Sequence, residues 1–285
     1  MKPTPMTLAD LRLRTYELSW RGSKAEDTAM RNSAQVVELL GPEMPVAKLT
    51  ADDVQRLVLT LKRKGNATST VNRKLGALSL MLTHALNGGH VEKRIHIPHL
   101  VEPEPRERVL DEVEEAALLD WLERAHLSDS RAICIVLLDT GLRLAELLGR
   151  PWSDITLYPP AKAFIRLPKT KGGKPRTVPL TDRARRELVG MSTVRGSARG
   201  PFAHMPARTF QTHFAAARAA LGLEDDPEFV PHALRHTCAT RLVQRGASIP
   251  TVQRWMGHAR VATTMRYAHA SDVDLAAARK LLEAG

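Results

Sequence analysis

Apolar residues recur every three or four positions through most of the chain, the spacing of one buried helical face. Val54, Leu57, Val58 and Leu61 follow the start signal Thr50-Ala51-Asp52-Asp53 and share a face. Thr7-Leu8-Ala9-Asp10 opens an earlier helix that should run to about Trp20, because Thr7 and Asp10 can satisfy free amides of the first turn. Ser69 opens another, with Leu75, Leu78, Leu82 and Leu86 inward and Gly88-Gly89 at its end. With a helix near residues 24–40, the first third reads as a four-helix unit. Residues 110–126 and 130–140 are also helical, the second nearly all apolar and therefore buried. The runs 155–158, 163–167 and 176–180 read as strands, and Lys171-Gly172-Gly173-Lys174 joins the last two as a hairpin. From Thr181 the pattern is helical again, broken by 227–231 and by the Gly/Ser-rich run 190–200, which reads as a mobile loop. Residues 271–282 form a last amphipathic helix with a good N-cap. The fold class is mostly α with a small three-stranded antiparallel sheet.

Three prolines, Pro98, Pro103 and Pro105, fall within nine residues and predict an extended linker at 98–108. Domains are therefore expected at 1–97 and 109–285. The 285 residues carry a net charge of +11. Residues 1–100 hold 15 basic and 9 acidic side chains, net +6; residues 101–129 are net −7; residues 130–285 are net +12. Two basic blocks flank an acidic one, which points to a polyanionic partner, nucleic acid first and an acidic membrane surface second. No stretch approaches the roughly 20 apolar residues that span a bilayer, and the N-terminus does not read as a signal peptide. Cys134 and Cys238 are too few and too far apart for a disulfide framework or a zinc cluster, and read as packed free thiols in a reducing compartment.

Three segments concentrate groups that can hold or cut a phosphate. Arg143 and Glu146 are three apart, so a carboxylate can orient a guanidinium on one helical face; taken alone the pair also fits a surface ion pair. His232, Arg235 and His236 converge at i, i+3 and i+4. An arginine between two histidines repels a metal and suits an oxyanion. In the third, Gly257 caps a helix, His258 starts a turn and Tyr267 ends the next short helix. A tyrosine can attack phosphorus where arginines lower its pKa or a histidine takes its proton. In the first block, Lys62, Arg63, Lys64, Thr68, Ser69, Thr70, Asn72, Arg73 and Lys74 cluster around one turn, a composition suited to DNA phosphates and equally to a solvated corner.

These residues resemble the tyrosine recombinases, the phage-integrase and Xer-like family of site-specific DNA recombinases. The resemblance rests on T-G-L-R-L-A-E-L-L (140–148), W-S-D-I (152–155), K-G-G-K-P-R-T-V-P-L (171–180), H-A-L-R-H-T-C-A-T (232–240) and W-M-G-H-A-R-V-A-T-T-M-R-Y-A-H (255–269), in this order. It covers about 108–270 and extends more weakly over the first block, where S-T-V-N-R-K-L-G-A-L (69–78) is similar to a core-binding helix. Arg150-Pro151 departs from the family pattern, where a leucine and a nonproline residue are usual. The resemblance implies an N-terminal four-helix, SAM-like core-type DNA-binding domain and a mixed, mainly helical catalytic domain with a C-terminal tail helix. It implies that Arg143 and Arg235 hold the scissile phosphate and that Lys171 protonates the leaving 5′ oxygen, with Lys169 and Lys174 as competitors. His232 then takes the nucleophile's proton, His258 bonds the phosphate and Tyr267 is the nucleophile. Glu146 would orient Arg143, and His236 would support the helix.

The implied reaction is cutting and rejoining of DNA through a 3′-phosphotyrosyl intermediate and a Holliday junction, for integration or excision of a mobile element. Neither cofactor nor metal is implied. The partners implied are a double-stranded DNA target site, a homo-tetramer on DNA formed from free monomers, and an accessory DNA-bending or directionality protein, with no membrane. The setting implied is the cytoplasm, in association with the nucleoid. The tail helix is expected on a neighbouring protomer or on its own domain. No arm-binding domain of the kind found in larger integrases precedes the first helices, which suggests simple target sites or accessory proteins. Alternatives are Xer-like resolution of chromosome or plasmid dimers, a type IB topoisomerase-like activity, and a DNA-binding protein that does not cut.

Overall fold

The computed structural model describes residues 5–102, 108–168, 175–195 and 199–268. The chain divides into two compact units, Met1–Pro105 and Arg106–Gly285. The hairpin turn with Lys169, Lys171 and Lys174, and the tail at 271–282, lie outside the described residues.

The first unit packs four helices, α1 (Leu8–Thr15), α2 (Glu26–Leu40), α3 (Ala51–Arg63) and α4 (Thr68–Asn87). Thr7 with Asp10, and Thr50 with Asp53, form reciprocal capping boxes that satisfy first-turn amides of α1 and α3. The helix expected to run to Trp20 is continuous but changes pitch: Tyr16–Trp20 is a π-helical turn, closed by the Arg21 amide donating to the Tyr16 carbonyl at 2.9 Å. Val54, Leu57, Val58 and Leu61 are all buried, as their spacing predicts. In α4 the inward row is Val71, Leu75, Leu78 and Leu82, but Leu86 is only half-buried. Ala85 takes the inward place, because successive steps of four overshoot a 3.6-residue turn.

The second unit is built around α6 (Ser128–Thr140), in which every residue from 132 to 138 is buried. Around it lie α5 (Glu112–Arg124), α7 (Leu144–Leu148), α8 (Asp182–Arg195), α9 (Ala207–Ala220), α10 (Pro231–Gln244), α11 (Ile249–Met256) and α12 (Ala262–Met265). The sheet β1 (Ile155–Thr156), β2 (Phe164–Leu167) and β3 (Arg176–Pro179) is antiparallel in that order. Ile165 pairs with Val178 and Leu167 with Arg176, and these four are buried while Arg166 and Thr177 face out. The expected strands are thus present but shorter at their ends.

The run 190–200 departs from expectation. Helix α8 continues through Gly190 to Arg195, so the first six residues of the presumed loop are helical. A helical glycine costs only about 1 kcal/mol. Leu188 is buried and Met191 packs on the same core, which offsets that cost. Both cysteines are buried free thiols, and burial pushes Cys238 up to about 12. Among the described residues no helix is long and apolar enough to cross a membrane.

The capping boxes give the fold its first test. Thr50→Ala removes the side-chain acceptor for the Asp53 amide and the hydroxyl bound to Asp53. It should lower stability by about 1 kcal/mol in urea denaturation. Thr68→Ala, at a helix start where no side chain caps, should change it by much less.

Candidate active site

Glu146 organises one wall of the site. Arg143 does not lie on a helical face with it, as the spacing suggested. Arg143 is the extended residue just ahead of α7, and Glu146 is the third residue of that helix. The pair forms through this turn instead: Arg143 Nη1 donates to Glu146 Oε1 at 2.8 Å and the Arg143 amide to Oε2 at 3.0 Å. A second arginine, Arg176 on β3, donates through Nη2 to Oε2 at 2.8 Å and through Nη1 to Oε1 at 3.3 Å. Burial works to raise the Glu146 pKa. The hydrogen bond from Arg176, the Arg143 amide and the two guanidinium charges overcome it, holding the carboxyl at about 2.

Sequence reasoning placed no role on Arg176, although it lies in the quoted K-G-G-K-P-R-T-V-P-L motif. The usable signal is alternation. Arg176 and Val178 share the inward face of β3, and an inward arginine needs a buried carboxylate.

Helix α10 supplies the floor. Pro231 starts it without needing an amide donor, and His232, Arg235 and His236 project together. Arg235 is 3% exposed. One terminal nitrogen donates to the Gly141 carbonyl and the other to the Met256 carbonyl at 2.6 Å. These bonds lock the guanidinium between the ends of α6 and α11, both of which terminate in left-handed glycines, Gly141 and Gly257. Trp255 Nε1 adds a bond to the Thr140 carbonyl at 2.9 Å. Burial and then the Arg143 charge lower the Arg235 pKa to about 10, so the group stays a cation at neutral pH.

The Gly257 elbow presents His258, whose Nδ1 lies 2.9 Å from Thr264 Oγ1 on α12. Tyr267 follows α12 and is 2% exposed, packed with Val243, Val252 and Met256. Its hydroxyl lies 2.7 Å from His236 Nδ1, and its ring is nearly parallel to His258 at 6.4 Å. The resemblance gave the proton-accepting position to His232. In the structure His236 meets the hydroxyl, while His232 packs edge-on against His236 at 4.7 Å. Sequence spacing could not separate the two histidines, since both lie on the same face of α10.

The residues expected at the first unit's basic turn divide. Lys62, Arg63, Lys64 and Arg73 are exposed, and Thr68, Ser69 and Thr70 are half-buried at the start of α4. Asn72 and Lys74 turn inward. Asn72 clips the chain after α4, accepting from the Leu100 amide at 2.9 Å and donating to the Leu100 carbonyl at 2.9 Å. Lys74 is 5% exposed and donates to Asn66 at 2.5 Å; burial and then the Lys64 charge lower its pKa.

The three histidines make the electrostatics testable. Burial, then neighbouring cationic groups, lowers His236 and His258 to about 4, and His232 moves the same way. All three are neutral at pH 7, so His236 can accept the Tyr267 hydroxyl hydrogen. In the unfolded chain these rings bind protons from about pH 6.5 downward. The unfolded state therefore holds more protons between about 6.5 and 4, and stability falls as pH falls through that window. Thermal melts across this range should show the decline, and His258→Gln should make it shallower without removing it, since His232 and His236 still contribute.

Comparison with known proteins places this geometry. Residues 108–273 match the model of the phage integrase family. The tyrosine recombinase XerD of Brucella suis biovar 1 is 30% identical over 265 residues, covering 83% of each chain. The tyrosine recombinase XerC of Pelobacter propionicus is 33% identical over 238 residues, covering 78% of this chain and 77% of the relative. Among solved structures, the Tn1549 transposon integrase in complex with circular intermediate DNA superposes with a TM-score of 0.77 at 19% identity, over 97% of this chain and 99% of that one. A lambda integrase tetramer bound to a Holliday junction gives 0.76 at 21%, over 93% and 78%. The sequence matches and the shared fold agree, and the chain belongs to the phage integrase family.

Proposed function

We propose that this protein is a site-specific tyrosine recombinase and that Tyr267 is its nucleophile. The observation that carries the reading is the Tyr267 hydroxyl bonded to a neutral His236 beside Arg235 and His258. Tyr267 Oη attacks a backbone phosphorus, passing its proton to a histidine. The bond to the 5′ oxygen breaks, a proton makes that oxygen a hydroxyl, and a 3′-phosphotyrosyl ester forms. A 5′ hydroxyl of a second duplex then attacks the ester and releases Tyr267. Each step exchanges one phosphoester for another, so no nucleotide hydrolysis is required. Arg143 and Arg235 stabilise the negative charge that grows on the phosphoryl oxygens. Lys171 protonates the leaving oxygen, and His258 bonds the phosphate.

Double-stranded DNA is the partner, with four copies assembled on two duplexes. Residues 1–97 form the core-type DNA-binding domain, 98–108 the linker and 109–285 the catalytic domain. In the first of these, Lys62, Arg63, Lys64 and Arg73 meet phosphates, and Thr68, Ser69 and Thr70 stand beside amides of the α4 N-terminus that no side chain caps. Asn72 and Lys74 hold the domain together instead. The biological setting is a mobile element, in the cytoplasm with the nucleoid. A second reading, dimer resolution, is favoured by the Xer relatives at 30% and 33% identity.

Two kinds of measurement, of covalent chemistry and of binding, test this. A nicked duplex carrying the site that the protein selects from randomised DNA should give an SDS-resistant adduct, and Tyr267→Phe should abolish it. No adduct from the wild type, or an undiminished one from the variant, contradicts the reading. Strand exchange between two labelled duplexes then separates a recombinase from a topoisomerase. Second, affinity should fall with salt at a log–log slope of about −0.9 per phosphate neutralised, and Arg63→Ala should shallow it by about one contact.

A further inference from the structure

We propose that Arg176 is a positioning residue for cleavage: by taking a share of the Glu146 carboxylate, it leaves Arg143 with net charge for the phosphate. The inference rests on the recombinase reading above and extends it to a residue that does not touch DNA.

Glu146 accepts four hydrogen bonds, two on each oxygen, from the Arg143 side chain and amide and from both terminal nitrogens of Arg176. A carboxylate has about four lone-pair sites, so this one is saturated. One negative charge is shared between two positive ones, and the trio is net +1. Without Arg176 the same carboxylate faces Arg143 alone, and the pair is neutral. The phosphate clamp then loses half of its two-arginine charge.

Burial shows which arginine is the support. The Arg143 side chain is 30% exposed and Arg176 only 6%. Arg143 bonds the carboxylate through Nη1 alone among its side-chain nitrogens, whereas Arg176 is enclosed with both terminal nitrogens on it. Its guanidinium lies directly under the Gly257 elbow, where a Cβ would stand 2.6 Å from Nη1 and 2.8 Å from Cζ. Gly257 also has a φ of +67°, so glycine is required there for space and for conformation. Arg176 thus ties β3 to Arg143 through Glu146 and to the elbow that carries His258. An arginine fork spans both carboxylate oxygens, which a lysine cannot do.

The test compares the wild type with Arg176→Ala, Arg176→Lys, Glu146→Gln and the Arg176→Ala/Glu146→Gln double variant. Single-turnover cleavage is measured on the nicked duplex bearing the selected site, and affinity by gel shift. Arg176→Ala should slow adduct formation on the order of 100-fold with affinity changed by less than about threefold. Arg176→Lys should recover about tenfold of that loss through charge alone. The double variant should cleave faster than Arg176→Ala, because removing the carboxylate frees Arg143; a merely structural arginine gives a double variant as slow or slower. Wild-type rates in Arg176→Ala, an equal loss of affinity and rate, or a double variant no faster than the single one overturns the inference alone. A wild type that binds its selected site without forming an adduct overturns the recombinase reading and this inference with it.

Discussion

A single carboxylate lets cationic groups gather in a partly buried cluster. Arg143, Arg176 and Arg235 crowd together, with Arg235 almost fully buried. Burying like charges is costly unless each is paired or bonded. Glu146 supplies the one negative charge that bonds two of them. The carbonyls of Gly141 and Met256 supply dipoles for the third. The result keeps excess positive charge while each of these guanidiniums is bonded through one or both of its terminal nitrogens.

Those carbonyls exist because helices end where they do. Helix α6 is buried along most of its length, so its position is set by packing on all sides. Its left-handed glycine cap turns the Gly141 carbonyl toward Arg235. The cap of α11 does the same for Met256 and then releases His258 into a turn. Two helix ends and one strand thereby hold the arginines, and the core fixes their geometry.

Crowded cations also decide the state of the histidines. Desolvation and nearby cationic groups hold His232, His236 and His258 neutral at pH 7. A neutral imidazole can accept a proton and an imidazolium cannot. The same cationic surroundings therefore keep a neutral imidazole beside the Tyr267 hydroxyl. Tyr267 keeps its ring in a small apolar cluster and its hydroxyl on His236, so it meets solvent with little of its surface.

Local pattern was enough for much of this protein. The capping pairs at Thr7 and Thr50, the apolar stripe of α3, the buried α6 and the short alternating strands all follow from interactions between residues near in sequence, as does the Gly257 cap. The motif residues around Arg143, Arg235, His258 and Tyr267 were legible for the same reason, since their spacing is local. Contacts between distant segments were not. That Glu146 also holds Arg176, that His236 rather than His232 meets Tyr267, that Lys74 is buried and that Asn72 binds Leu100 depend on which faces the packed core turns toward one another. Residue spacing specifies a face, but burial decides what that face meets. Packing likewise carries α8 through Gly190, where the gain from apolar contacts exceeds the small helical cost of a glycine.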